Sequence, residues 1–537
     1  MRDWRGTIAR WIGGSVPSAA PPADSRVRVV HFAGKRAYHA AQASRLTAGW
    51  TTSNTSADSE LVSSLAALRS RSRALARDAA FAKRARVVVV SNVVGSGIGM
   101  QAQVESSRGR LYDAVNVAIE DAWCEWARAD SCHTGGALAF AALERAAMGQ
   151  VFEAGEVFIR KHYRPFGGSR VPFTLELIEA ERLADEFSFG VEQPRGVQGI
   201  VRMGVEVDEF YRPIAYWIRA RHPGESYLRP GITDRLERVP ADQIIHLRLI
   251  DRWPQTRGEP WMHAVVRKLN DIDGYTEAEI IAARGAAAYM GTIESPETDI
   301  GEEQDDGTQE LELTPGMVEK LAPGEKFVLH SPNRPNAQAD PFIRLMLREV
   351  AAGIGVSYES LSRDYSQSNY SSSRLALLDD RDLWRMLQSW FIGSFRHEVH
   401  RDWLRQAVYA RAIEAIPVAQ YAADPRKFEA VRFKPRGWSW VDPTKEVEAF
   451  KEAIKAGLTT RTDVIAATGG GQDVEDIDST RRRELDDAAA KGLDYDTDPE
   501  AYAPEPPPPS AGPPDDQQDD IEDDPPARVV SFGRRDA

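Results

Sequence analysis

The sequence predicts a mainly helical α+β chain, and three observations carry that expectation. Strand-like alternation is confined to one block, residues 152–249; long stretches with apolar residues at helical spacing flank it; and the last segment is too acidic and proline-rich to join a core. With 537 residues, 42% hydrophobic and 28% charged, the chain can build two or three cooperating substructures. No run approaches the roughly 18 apolar residues of a membrane helix, so no membrane partner is expected.

Residues 1–57, rich in Ala, Ser, Thr and Pro with scattered Arg, read as a flexible N-terminal arm. After its early positive charge the opening MRDWRGTIARWIGG offers only Ile8, Trp11 and Ile12, which is not a signal-peptide apolar region. Cys124 and Cys132 are the two cysteines, which excludes a disulfide framework and fits a cytoplasmic origin. A helix follows over 58–86, with Leu61, Leu65, Leu68, Leu75 and Phe81 on one face and Arg69, Arg71, Arg73, Arg77 and Arg84 elsewhere. Those arginines read as a solvated basic face or, more sharply, as a subunit contact or a lip facing nucleic acid. Val87 to Val90 read as a short β run entering a tight glycine turn between strands at Gly95, Gly97 and Gly99.

From 111 to 149 the pattern is helical. Five strands are expected next, at 156–160, 174–178, 201–207, 215–218 and 243–248. Pro260 stands where a first-turn proline belongs, and Trp261, Val265, Leu269 and Ile272 continue at helical spacing into an alanine-rich run, with Gly274 a plausible kink. Short strands with Pro-Gly turns are expected at 311–316 and 321–329, then a helix over 342–353, a polar loop over 362–373 and a long helix over 372–413. A last helix near 443–455 precedes a glycine-rich break at 469–471.

The net charge of −14 is mostly a tail: residues 494–537 hold 13 Asp or Glu and 3 Arg, a net of −10, which leaves −4 for residues 1–493. A near-neutral body disfavours gripping nucleic acid by phosphate neutralisation but suits a wall past which DNA slides. Motifs for chemistry fail in turn. No GxxxxGK[ST] occurs, so no motor of its own is expected, and no GxSxG elbow appears. The glycines at 95–99 lack the following helix start and ribose-binding acid of a dinucleotide loop. His397-Glu398-Val399-His400 is one residue short of the HExxH zinc spacing, and Cys124, Cys132 and His133 match no zinc module. The residues therefore name no catalytic group, metal or cofactor.

Three segments are more specific. NVVGSGI at 92–98 follows an Arg-rich helix; IHLRLIDRWPQTRGEPW spans 245–261; and LREVAAGIGVSYESLSRD at 347–364 closes with NYSSSR at 369–374. In order and spacing, from Arg69 over most of the chain, they resemble the lambda-type tailed-phage portal family. Most of the first 40 residues and those after about 475 lie outside the resemblance.

The resemblance implies a ring of about a dozen identical subunits around a central channel, at one capsid vertex of the virion, assembled in the host bacterial cytoplasm. It implies a 58–259 wing region, a 260–291 first stem helix, a 292–341 clip, a 342–361 return helix, a 362–373 tunnel loop, a 374–475 wing and crown region, and a 476–537 disordered tail. Its expected partners are the large terminase, the major capsid and scaffold or protease proteins, a head-tail adaptor, and double-stranded DNA without sequence preference. In the tunnel loop, Arg363, Asp364, Tyr365, Ser366, Gln367, Ser368, Asn369 and Tyr370 are the expected DNA-facing residues; Glu325 and Lys326 are the candidate docking contacts of the clip. The competing expectations are a nucleotide- or metal-dependent enzyme with a disordered tail, or another minor capsid protein.

Overall fold

The computed structural model describes residues 45, 49–106, 111–188, 197–225, 235–288, 291–294, 326–329, 338–438, 443–468 and 473–493. The chain divides into Met1–Ser56 and Ala57–Ala537. In the first unit the Thr51 and Ser53 hydroxyls share a 3.0 Å hydrogen bond.

The second unit opens with helices α1 (Ala57–Asp78) and α2 (Ala80–Val93), strand β1 (Gly99–Ala102), and helices α3 (Asp113–Trp126), α4 (Ala129–Cys132) and α5 (Phe140–Ala154). The β-rich block supplies β2 (Glu156–His162), β3 (Thr174–Ile178), β4 (Ile200–Arg202), β5 (Val205–Val207), β6 (Pro213–Arg219), β7 (Leu236–Pro240) and β8 (Ile244–Arg248). Helix α6 (Val266–Ala288), strands β9 (Gly291–Glu294) and β10 (Lys326–Leu329), and helices α7 (Ala339–Ile354), α8 (Tyr358–Ser362) and α9 (Tyr370–Phe391) follow. A π-helical turn, Ile392–Arg396, joins α9 to α10 (His397–Tyr409). Helices α11 (Val418–Ala423) and α12 (Pro425–Phe428), strand β11 (Val431–Lys434), and helices α13 (Pro443–Lys455), α14 (Arg461–Thr468) and α15 (Val474–Lys491) complete it.

Several expectations are corrected. The valine run at 87–90 is helical: α2 buries Val88, Val89, Val90 and Val93. A valine costs a helix at most about 0.7 kcal/mol of propensity, whereas burying its side chain gains about 1.5 kcal/mol or more, so packing wins. The glycine turn therefore joins a helix to β1, with Gly95 and Gly97 at φ 62° and 133°. The single helix expected over 58–86 breaks at Ala79, whose backbone is extended. The helical stretch 111–149 is three helices, the 201–207 strand is the β4–β5 hairpin, and β7 was not expected at all. The helix expected from residue 260 starts at Val266, because residues 261–265 form turns in which the Val265 and Val266 amides both donate to the Met262 carbonyl. The tail boundary at 476 falls inside α15, whose entry is pinned by Lys434 on Asp473 at 2.5 Å. Strand 311–316, Glu325 and residues 494–537 lie outside the described residues.

Two sheets form the β block: β3-β2-β8 and the β4-β5-β6-β7 meander, both antiparallel. Phe158, Ile178, Val205, Tyr216, Ile218 and Val239 form the core they share, while a larger core gathers α2, α3, α5, α9 and α10 around Trp126, Phe140, Phe391, Phe395 and Trp403.

The solvated basic face expected of α1 holds for Arg71 and Arg77, which are exposed, but not for Arg69 and Arg73. Arg69, 2% exposed, pairs with Glu156 and reaches Asp185 at 2.9 Å. Arg73 lies 2.8 Å from Glu181 and 3.3 Å from Glu179. Two of the basic side chains thus bind the acids of the β block instead of facing water.

Glu156 is the centre of that junction. It receives Arg69, Arg257, His246 at 2.8 Å and the Gly258 amide at 2.8 Å. Burial opposes its ionisation, yet Arg257 and Arg69 outweigh burial and hold the carboxyl well below the usual range. Gly258 is required here because a Cβ would stand 2.2 Å from the Gly155 carbonyl oxygen.

Two buried histidines make the fold acid-sensitive. Burial, then Arg248, pushes His246 down to about 3, and burial, then Arg396, does the same to His400. Both are neutral when folded, whereas an unfolded histidine titrates near 6.5, at about that value, so below it the unfolded chain takes up the extra protons. Stability should be full above pH 6.5 and fall towards pH 3, each histidine contributing up to about 1.4 kcal/mol per pH unit. Glu144, raised by burial, opposes this near its own titration. Urea midpoints measured from pH 7.5 to 4.5 check it; a flat profile would contradict the two neutral imidazoles.

Candidate functional site

Helix α7 ends at Gly355, whose φ of 81° lets the chain turn back. Ser357 then caps α8: its Oγ accepts from the Ser360 amide at 3.3 Å and donates to Asp380 at 2.7 Å. Asp380, 5% exposed, also accepts the Ser357 amide at 2.8 Å and the Ser360 hydroxyl at 2.7 Å, which bolts α8 onto α9. The Ser-Tyr-Glu-Ser pattern at 357–360 is thus a helix clamp.

The loop between α8 and α9 runs over 363–369 and is shorter at both ends than the 362–373 expected. Arg363 closes α8 in the left-handed region at φ 59°, its amide donating to the Glu359 carbonyl at 2.9 Å. Asn369 opens α9 with a capping box: its Oδ1 accepts the Ser372 amide at 2.8 Å, and the Ser372 hydroxyl accepts the Asn369 amide at 3.2 Å. The cap belongs to Asn369, where Ser371 or Ser372 was the expected alternative, and Tyr370 is the first helical residue. Asn369→Ala should lower stability by about 1 kcal/mol, read as a shift in melting temperature, while Asn369→Asp should cost little.

Asp364 organises the base of the loop. Its Oδ1 accepts the Ser366 amide at 3.0 Å, its Oδ2 accepts the Tyr358 hydroxyl at 2.9 Å, and Arg344 of α7 stands 3.5 Å away. The bonds from Ser366, then that from Tyr358, hold its carboxyl down at about 2. Gln367 accepts from Arg348 at 3.1 Å, and Arg348 lies over the Tyr358 ring at 5.4 Å. The Ser368 amide and hydroxyl both donate to the Tyr365 carbonyl, at 3.2 and 3.1 Å. Tyr365 itself is 60% exposed. The base is cross-braced to α7 and the tip is open.

Arg363 to Asn369 are therefore brought together as one loop. Lys326 belongs to a different element, the β9–β10 ribbon, where it is exposed and opposite Glu294. Arg344, Arg348, Tyr358 and Asp380 were missed as supports. The presence of Arg348 and Tyr358 in the 347–364 segment was the available signal. Of the rejected metal ligands, His400 is buried among Trp123, Trp403 and Phe433. Glu398 takes a 2.7 Å bond from Lys161. Among the described residues no group of three or more His, Cys, Asp or Glu could hold a metal.

The described charges tie α1 to the β block and brace one loop on α7, an arrangement that suits a structural scaffold. The phage portal protein, lambda family, model matches residues 43–388, more than half of the sequence, and the chain belongs to that family as a portal subunit. It is 28% identical over 457 residues to the probable portal protein of Halomonas phage phiHAP-1, covering 82% of this chain and 85% of that protein. It is 22% identical over 494 residues to portal protein B of Escherichia phage lambda, covering 83% and 88%. Among solved structures, a chain of the virion of a native gene transfer agent particle aligns with a TM-score of 0.41 and 14% identity, covering 75% of this chain and 93% of that one.

Proposed function

We propose that about a dozen copies of this chain close into a ring at one capsid vertex, and that the loop over 363–369 lines the narrow part of its channel. The observation that carries this reading is the loop's construction: Asp364, Arg344, Arg348 and Tyr358 fix its base, while Tyr365 stands out into solvent. A stiff loop with an open tip and one Arg beside one Asp can brush DNA phosphates without trapping them. Exposed apolar side chains on three helices, Ile280 and Ile281 of α6, Leu345 of α7 and Leu375 of α9, support a neighbour packed against them.

In this reading α6 and α7 form the stem, the β9–β10 ribbon roots the clip, and the clip docks the terminase and later the adaptor. Native mass spectrometry of the full chain should give one closed ring of about a dozen copies; a monomer carrying a nucleotide or metal would favour the enzyme alternative. Lys326→Glu should weaken terminase binding several-fold while rings still form. If rings fail instead, the ribbon is an assembly interface.

A further inference from the structure

A second basic feature lies apart from the loop. A groove of about 630 Å³ is lined by Arg86, Gly95, Arg145, Arg436, Trp438 and Thr468, among others. Arg86 is paired with Glu153. The other two arginines of the groove are anchored on neutral acceptors: Arg145 donates to the Gly95 and Ser96 carbonyls, each at 3.3 Å, and Arg436 to the Ser91 carbonyl at 2.6 Å. Carbonyls fix a guanidinium without cancelling its charge. Trp438 is held by its indole N–H on Asn92 Oδ1 at 3.2 Å, and Arg381 and Arg385 stand 5.8 and 5.7 Å from its ring. The groove therefore pairs a fixed aromatic face with cations, the surface that takes an extended chain of prolines and acids.

The chain contains such a segment. Residues 494–527 hold 12 Asp or Glu, 10 Pro and no Lys or Arg. The helix that leads into it begins beside the groove, because α14 ends at the lining residue Thr468 and the first turn of α15 is pinned to the β1–β11 pair by Lys434–Asp473 at 2.5 Å and Gln101–Glu475 at 3.4 Å. Helix α15 has 18 residues, roughly 27 Å, whereas 34 residues in polyproline form reach about 105 Å, so length does not limit the contact. Tethering also gives the tail an effective concentration on the order of millimolar, which a free acidic ligand rarely matches.

We propose that the acidic, proline-rich tail at 494–527 docks back into its own chain's Arg145–Arg436–Trp438 groove. Prolines stack on the indole, and carboxylates meet Arg145 and Arg436. The tail is then an intrachain occupant that a more acidic competitor must displace.

The test uses the full chain with Thr468 replaced by the photo-crosslinker p-benzoylphenylalanine, and mass spectrometry of the products. At 50 mM salt the crosslinks should fall in 494–527, in a product of single-chain mass. They should drop at least fivefold at 0.5 M salt and with Arg145→Glu plus Arg436→Glu, and persist with both changed to Lys. If the reversed pair misfolds, neutralising the 12 tail acids to Asn and Gln should give the same drop. Crosslinks confined to 439–442 or other parts of the body, or tail crosslinks unmoved by either charge change, overturn the proposal. So does a product of twice the chain mass, which places a neighbour's tail there, or transfer of the crosslink to an added DNA duplex.

Discussion

Glu156→Gln should destabilise the protein by about 3–5 kcal/mol, because it removes the carboxylate charge on which Arg69, Arg257 and a fully buried junction converge. The amide keeps the shape of the side chain but leaves two guanidiniums, 2% and 0% exposed, with the half-buried Asp185 as their remaining ion-pair partner among the described residues. It also mismatches either the arginines on Oε1 or His246 and the Gly258 amide, which both bond Oε2. Because α1, β2 and the segment before α6 all meet there, the loss should appear in every spectroscopic probe of unfolding. Urea denaturation of the full chain measures it. A change below about 1 kcal/mol would show that Asp185 alone compensates both arginines.

Deleting Gln367 and Ser368 should leave rings and capsids intact and lower the yield of DNA-filled particles at least tenfold. The two residues form the far limb of the loop, where Gln367 reaches Arg348 and Ser368 closes on the Tyr365 carbonyl. Their removal withdraws Tyr365 while sparing the Asp380 clamp and the Asn369 cap, both of which lie outside the deletion. Alanine replacements of the same pair should act in the same direction with a smaller effect. Packaged DNA of normal length and normal infectivity in the deletion would sink the channel-loop assignment.

Much of the architecture was legible because periodicity reports burial. Strands 174–178 and 244–248 and helix 443–455 could be read closely since each carries a regular pattern bounded by a turn or a proline. The valine run at 87–90 misled because β-branched residues prefer strands only when packing does not decide. The roles of Arg69 and Arg257 were hidden for another reason. Their partners stand 87 and 101 residues away, and nothing local separates an arginine that will be buried from one that faces water. The loop's position was readable from the polar composition between two helices. Its bracing was not, since Arg344 and Arg348 lie on α7, one helix further back, and look like ordinary surface charges.

The β9–β10 ribbon has a consequence for how such chains diversify. Gly291 pairs with Leu329 and Glu294 with Lys326, so the polypeptide leaves helix α6 and returns towards α7 through one fixed gate. Whatever lies between the two strands enters and exits at adjacent points, and lengthening or exchanging it adds little loop-closure cost, about 0.6 kcal/mol per doubling. This cassette can therefore be exchanged while the helices on either side keep their geometry. Chimeras that exchange only residues 295–325 between relatives are the natural units of recombination for this scaffold.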